Sequence, residues 1–215
     1  MDGELESFSL VELTVRRLSQ EILSGKIGPG QRLFEEQLTR RLGISRAPLR
    51  EALRLLAQQG LVAHVPRRGV RVATLSDRDV RELRTIRNIL ERYAIETALP
   101  VQRDADLAGL RVALERMRQA SDVGDRLALA EAHRAFHVAL VTLADNQQLA
   151  AVYESILVKL QLHMTIRMSR HAQATAPLDG VHRHERLLTA VAAGDPAVVL
   201  AELARHGNPS EPDGV

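Results

Sequence analysis

Apolar residues recur at roughly helical spacing from Leu10 through Leu13 and Leu18 to Ile22, and Gly25 with the run Gly28-Pro29-Gly30 stops the pattern. Leu38 and Leu42 then share one face of a short segment from Glu35 to Leu42, which Gly43 breaks. Ser45 stands where a cap belongs for a third helix running to about Gln59. The spacing predicts helix, a turn of about four residues, helix. After Gly60 the period changes. Leu61-Val62-Ala63-His64-Val65 and Val70-Arg71-Val72-Ala73 are short strand-like runs, and they flank Pro66-Arg67-Arg68-Gly69, so they read as a hairpin with a basic tip.

From Ser76-Asp77 onward the pattern is helical throughout. Segments 77–99, 104–120, 125–144, 147–171, 178–193 and 196–206 are punctuated by Pro100, Gly124, Asn146, Pro177 and Gly194-Asp195-Pro196. Helices of this kind joined by short loops predict an antiparallel all-α bundle of about six helices. The expected fold is mainly α, with a winged helix-turn-helix over 1–75, a bundle over 76–206 and a disordered tail over 207–215.

Composition narrows the chemistry. With 215 residues, 45% of them hydrophobic, each of two domains can have its own core. The chain has no cysteine, which removes disulfides, thiolate metal sites and a cysteine nucleophile. Any metal must be held by histidine and carboxylate. Glu4, Glu6 and Glu12 do not fit a signal peptide, and no apolar run is long enough to span a bilayer, so a soluble, cytoplasmic protein is expected.

The net charge of +2 conceals an uneven distribution: residues 32–71 hold nine arginines against three glutamates, whereas residues 76–215 hold 17 basic and 19 acidic residues. A positive footprint confined to the N-terminal third points to nucleic acid. A recognition helix needs short polar and arginine side chains in its first turns, where they meet base edges and phosphates. Ser45, Arg46 and Arg50 meet that need; the two arginines, four apart, share a face, while Leu49, Leu53 and Leu56 supply the opposite, core-facing one.

His133 and His137 are likewise four apart on one helix face, close enough to share a metal ion. His184 and His206 follow on the last two helices, and a bundle can bring all four to one interior point. Such a set of imidazoles favours Zn, Ni, Cu or Co over Mg or Ca. His182, two residues from His184, points elsewhere.

Two resemblances add to this reading. The runs Ile22 to Leu33 and Leu42 to Leu53, then Gly60-Leu61-Val62 and Pro66 to Val70, resemble the winged-helix domain of the GntR family across residues 10–75. The resemblance implies that Ser45, Arg46 and Arg50 contact DNA, that Gly69 in the wing approaches the minor groove, and that the protein binds a short palindromic operator as a homodimer. Residues 76–206 resemble the FCD ligand-binding domain of the FadR subfamily, through Arg87-Asn88-Ile89-Leu90-Glu91 and the histidine set. That resemblance implies metal ligands at His133, His137, His184 and His206, Zn or Ni being the favoured ions. The departure is His133, where the family usually has Asp. It also implies a small organic acid as effector, its carboxylate held by the metal and an arginine, for which Arg87 is the candidate; an ion pair with Glu91 is the plainer role for Arg87.

Other readings stay open at this point. The metal could be purely structural, with a different effector; or the subfamily's metal-free acyl-CoA sensing could apply, although the histidines argue against it. A metal-dependent hydrolase would need a general base, and His133-Arg134-Ala135-Phe136-His137 lacks the glutamate of a His-Glu-x-x-His site. The chain is expected not to be an enzyme.

Overall fold

A computed structural model describes the backbone of residues 9–170 and 179–206 and the side chains of residues 9–163 and 180–205. The chain is mainly helical and divides into two compact units, Met1–Val80 with Val158–Ala172, and Arg81–Leu157 with Gln173–Val215. The tail over 207–215 lies outside the described residues.

The first helix, α1 (Leu10–Leu23), opens on a capping box in which the Glu12 amide donates to the Ser9 hydroxyl and the Ser9 amide donates to the Glu12 carboxylate. Leu18 and Ile22 are buried, whereas Leu10 and Leu13 at its start are exposed. Next come α2 (Glu35–Leu42) and α3 (Arg46–Gln58). The turn between them is three residues, made possible by Gly43 at φ +66°, a left-handed cap that costs a side-chain-bearing residue more than glycine. Ser45 occupies the N-cap position of α3, but its side chain makes no capping bond. Leu49, Ala52, Leu53 and Leu56 form the buried face of α3, and each leucine there contributes about 1.5–3 kcal/mol by leaving water. Buried Glu21 on α1 accepts from Arg41 on α2 at 2.6 Å and from Arg17 at 3.0 Å, tying the two helices together.

The wing is larger than its hairpin. Strands β2 (Val62–Val65) and β3 (Gly69–Val72) pair as expected, and a two-residue strand β1 (Arg32–Leu33) joins β3 on its other side. The register places Leu33 opposite Val70 and Arg32 opposite Arg71. At the tip, Pro66 and Arg67 occupy a turn closed by the Arg68 amide on the Val65 carbonyl; Arg67 sits at φ +60°, a backbone region rarely adopted by side-chain-bearing residues.

The second unit holds α4 (Asp77–Ala98) from Arg81 onward, a short 3-10 turn (Asp104–Leu107) leading into α5 (Ala108–Asp122), α6 (Arg126–Thr142), α8 (Asp179–Ala193) and α9 (Pro196–His206), together with the first part of α7 (Gln147–Arg170). Asp125 caps α6 by accepting from the Leu127 and Ala128 amides, and Asp195 caps α9 from Ala197. Ile95, Leu110, Leu114, Met117, Phe136, Leu140, Leu187, Val191 and Val199 make one continuous core. A second cluster around Ala94, Val141, Leu149 and Tyr153 lies along α4, α6 and α7. The histidines of α6 and α8 are placed by the first of these cores.

Candidate functional site

Helical spacing turns His133 and His137 inward from α6, and α8 brings His184 to meet them. One nitrogen of each lies within 4.8 Å of the others; His137 and His184 are buried and His133 is half-buried. The ring centroids are 4.7 Å apart for His133 and His137 and 4.8 Å for His133 and His184. Phe136 stands edge-on against His184 at 4.9 Å and walls the cluster from the core. His206 closes α9, but its side chain lies outside the described residues.

The partners of each ring assign its tautomer. His184 places Nδ1 on the Gly180 carbonyl, which can only accept, and His137 places Nδ1 3.1 Å from the Glu91 carboxylate, which also accepts. Each Nδ1 therefore carries the proton and each Nε2 a lone pair. The two Nε2 atoms are 3.4 Å apart. Two nitrogens bound 2.0–2.1 Å from one tetrahedral ion would sit about 3.3–3.4 Å apart, so this pair already has the spacing a zinc-like ion requires. Burial lowers the pKa of His184 from 6.5 to about 4 against the pull of the Gly180 carbonyl, keeping the imidazole neutral and able to ligate. The donor set thus fits a borderline transition metal.

Glu91 is the hub beneath the rings. Its Oε1 accepts from Arg87 Nε at 3.0 Å, from His137 Nδ1 at 3.1 Å and from the Tyr153 hydroxyl. Arg87 is therefore at the cluster and paired with Glu91 at once; its Nη2 lies 3.3 Å from His137 Nδ1 and 3.4 Å from Nε2, the even reach of a group set against the ring rather than aimed at one lone pair. Burial opposes the charge of Arg87, but Glu91 and Tyr153 outweigh it and raise the pKa. Burial, reinforced by Glu91, pushes the Tyr153 hydroxyl well above its ordinary pKa, so it stays a donor. Sequence reasoning missed Tyr153 and saw Glu91 only as a partner for Arg87. The one local signal was the helical spacing that lets Arg87 and Glu91 meet.

In the first unit, Ser45, Arg46 and Ala47 are exposed at the start of α3. Arg50 is also exposed and donates from Nε to Glu35 at the start of α2, at 2.9 Å. Gly69 begins β3 at φ +78°, beside exposed Arg67 and Arg68. The side chain of Arg71 is committed to the fold, donating to the Gly30 carbonyl at 2.8 Å.

Comparison with known proteins agrees with both halves. Residues 10–72 match the model of bacterial regulatory proteins of the gntR family, and residues 82–208 match the FCD domain. An uncharacterized HTH-type transcriptional regulator of Bacillus subtilis is 33% identical over 141 residues, spanning 65% of this chain and 63% of its own. A protein of Paenarthrobacter nicotinovorans, named as the probable transcriptional repressor of a D-xylose utilization operon, is 31% identical over 86% of this chain and 80% of its own. The crystal structure of a GntR transcriptional regulator from Rhodococcus sp. RHA1 superposes with a TM-score of 0.81 at 26% identity, covering 93% of this chain and 94% of that one. These families and relatives are transcriptional regulators, not enzymes. Among the described residues no helix is long and apolar enough to cross a membrane.

Proposed function

Because the chain belongs to the GntR family of bacterial regulatory proteins and carries an FCD domain, it is a DNA-binding transcriptional regulator, and we propose that it is a cytoplasmic repressor controlled by a small carboxylic acid bound at a metal in the histidine cluster. The observation that carries the effector half is the 3.4 Å approach of two Nε2 atoms whose rings are each oriented through Nδ1. His133, His137 and His184, with His206, would hold a zinc or nickel ion, which when bound supplies a Lewis-acidic seat for a carboxylate. Glu91 orients His137, Tyr153 orients Glu91, and Phe136 excludes water from one side.

The reading head supplies the other half. A homodimer would set two α3 helices into successive major grooves of a palindromic operator, with Ser45, Arg46 and Arg50 at base edges and phosphates and Gly69 in the wing near the minor groove. Arg50 would exchange Glu35 for DNA. Arg46→Ala is expected to weaken binding by about 1–3 kcal/mol, measured by fluorescence anisotropy on an operator selected from random duplexes. Unchanged affinity would remove Arg46 from the interface.

The test of the sensor is direct. His184→Ala should lower zinc affinity at least about 100-fold, more than losing an outer partner costs, as read by elemental analysis after dialysis and by competition with a chromogenic chelator. Restored to its metal, the unmodified protein should lose operator affinity when one member of a carboxylic acid panel is added. A second reading, a structural metal with a different effector, is favoured by the pairing of Arg87 with Glu91; it wins if metal is retained and no acid changes operator binding.

A further inference from the structure

We infer that Arg32 binds a DNA phosphate beside the wing, a contact made from outside both α3 and the hairpin; the inference rests on the docking of the first unit proposed above. Nine arginines lie between residues 32 and 71. Arg40, Arg41, Arg50 and Arg54 are each paired with a glutamate, and Arg71 donates to the Gly30 carbonyl. The side chains of Arg32, Arg46, Arg67 and Arg68 have no carboxylate or carbonyl partner among the described residues, and all four residues are exposed. Arg46 heads α3, and Arg67 and Arg68 belong to the wing tip, so three of these charges are on elements proposed to meet DNA. Arg32, on β1, is the fourth.

Its neighbours hold that charge against the wing. The Arg32 guanidinium lies over the exposed Phe34 ring, 4.7 Å from its centroid. It also faces the open side of Gly69, where a Cβ would lie 3.5 Å from Arg32 Nε and 3.6 Å from Nη2. Glu35 and Glu36, which follow Phe34, are taken by Arg50 and Arg40. A cation attracted to a ring face keeps its N–H donors, and a guanidinium can offer a phosphate two of them side by side. A wing that approaches the minor groove at Gly69 passes between the sugar–phosphate strands that rim the groove, so an arginine packed against Gly69 meets backbone rather than base edges. Such a contact positions the reading head and adds affinity without choosing a sequence.

The experiment separates salt dependence from sequence preference. The full chain carrying Arg32→Gln, with Arg32→Thr as a second charge-free variant suited to a strand, is titrated by fluorescence anisotropy against the selected operator and against an unrelated duplex, over potassium chloride from about 0.1 M to about 1 M. The slope of log K against log salt should become shallower by about 0.9 for each protomer bound, a loss of about eightfold at the low-salt end that vanishes towards the high-salt end. The loss should be equal on the two duplexes, and Arg32→Lys, which keeps the charge, should restore most of the slope. An unchanged slope in the charge-free variants, beside a weakened Arg46→Ala, overturns the inference and leaves the DNA docking standing. A loss confined to the operator, or one that Arg32→Lys leaves in place, overturns it as well, the first making Arg32 a base contact and the second a part of the fold. If neither the Arg32 variants nor Arg46→Ala differ from the unmodified protein, the inference and the docking fall together.

Discussion

Glu91→Ala should destabilise the protein by about 3–5 kcal/mol, the range found when one member of a buried ion pair is removed. Its side chain and that of Arg87 are 4% and 14% exposed, so the guanidinium left behind could recruit little water. The loss reaches further than the pair. His137 Nδ1–H and the Tyr153 hydroxyl would lose the same acceptor, and a buried donor left without one costs about 1–3 kcal/mol. Glu91→Gln, which keeps an acceptor oxygen but not the charge, should recover part of the deficit. Urea unfolding followed by circular dichroism reads the effect; a change under about 1 kcal/mol for Glu91→Ala would show that these contacts do not act as a unit.

Acid should destabilise the metal-free protein across the interval from about pH 6.5 to about pH 4. Burial depresses the pKa of His184 from 6.5 to about 4, with the charges of Arg87 and Arg183 assisting and the Gly180 carbonyl opposing. Between those values the unfolded chain binds a proton at this imidazole and the folded chain does not, so stability falls as the pH falls. Above 6.5 the ring is neutral in both states and the contribution is whole; below about 4 it is gone. The difference corresponds to about 3 kcal/mol. Urea midpoints measured with chelator at several pH values test this, with a His184 variant as the reference. Equal acid sensitivity in both proteins would place the sensitive group elsewhere.

The helix boundaries were legible because their ends carry local chemistry. Asp125 and Asp195 accept amides of the helices they precede, Ser76 and Asp79 bond reciprocally at the start of α4, and Gly43 supplies the left-handed cap of α2. The meeting of His133 and His137 with His184 was legible in part, since spacing on α6 gives the first two and the bundle supplies the third. Strand β1 was not, because two residues have no period to read and the strand exists through its pairing with β3, far along the chain. Tyr153 escaped notice for a related reason. It reads as one more core residue of α7, and its bond to Glu91 spans 62 positions. Ser45 shows the opposite failing: the expected capping residue stands at the right place, but its side chain makes no capping bond and stays exposed at the head of α3.

The third strand changes what the wing would bring to the DNA contact proposed for it. A two-stranded hairpin alone is marginal in water, and a wing of that kind would lose conformational freedom at the moment of binding. Here the Gly30 amide donates to the Val72 carbonyl, the Val72 amide donates to the Gln31 carbonyl, and Arg71 reaches back to Gly30, so β3 is held from both sides. Much of the ordering entropy has therefore already been met during folding.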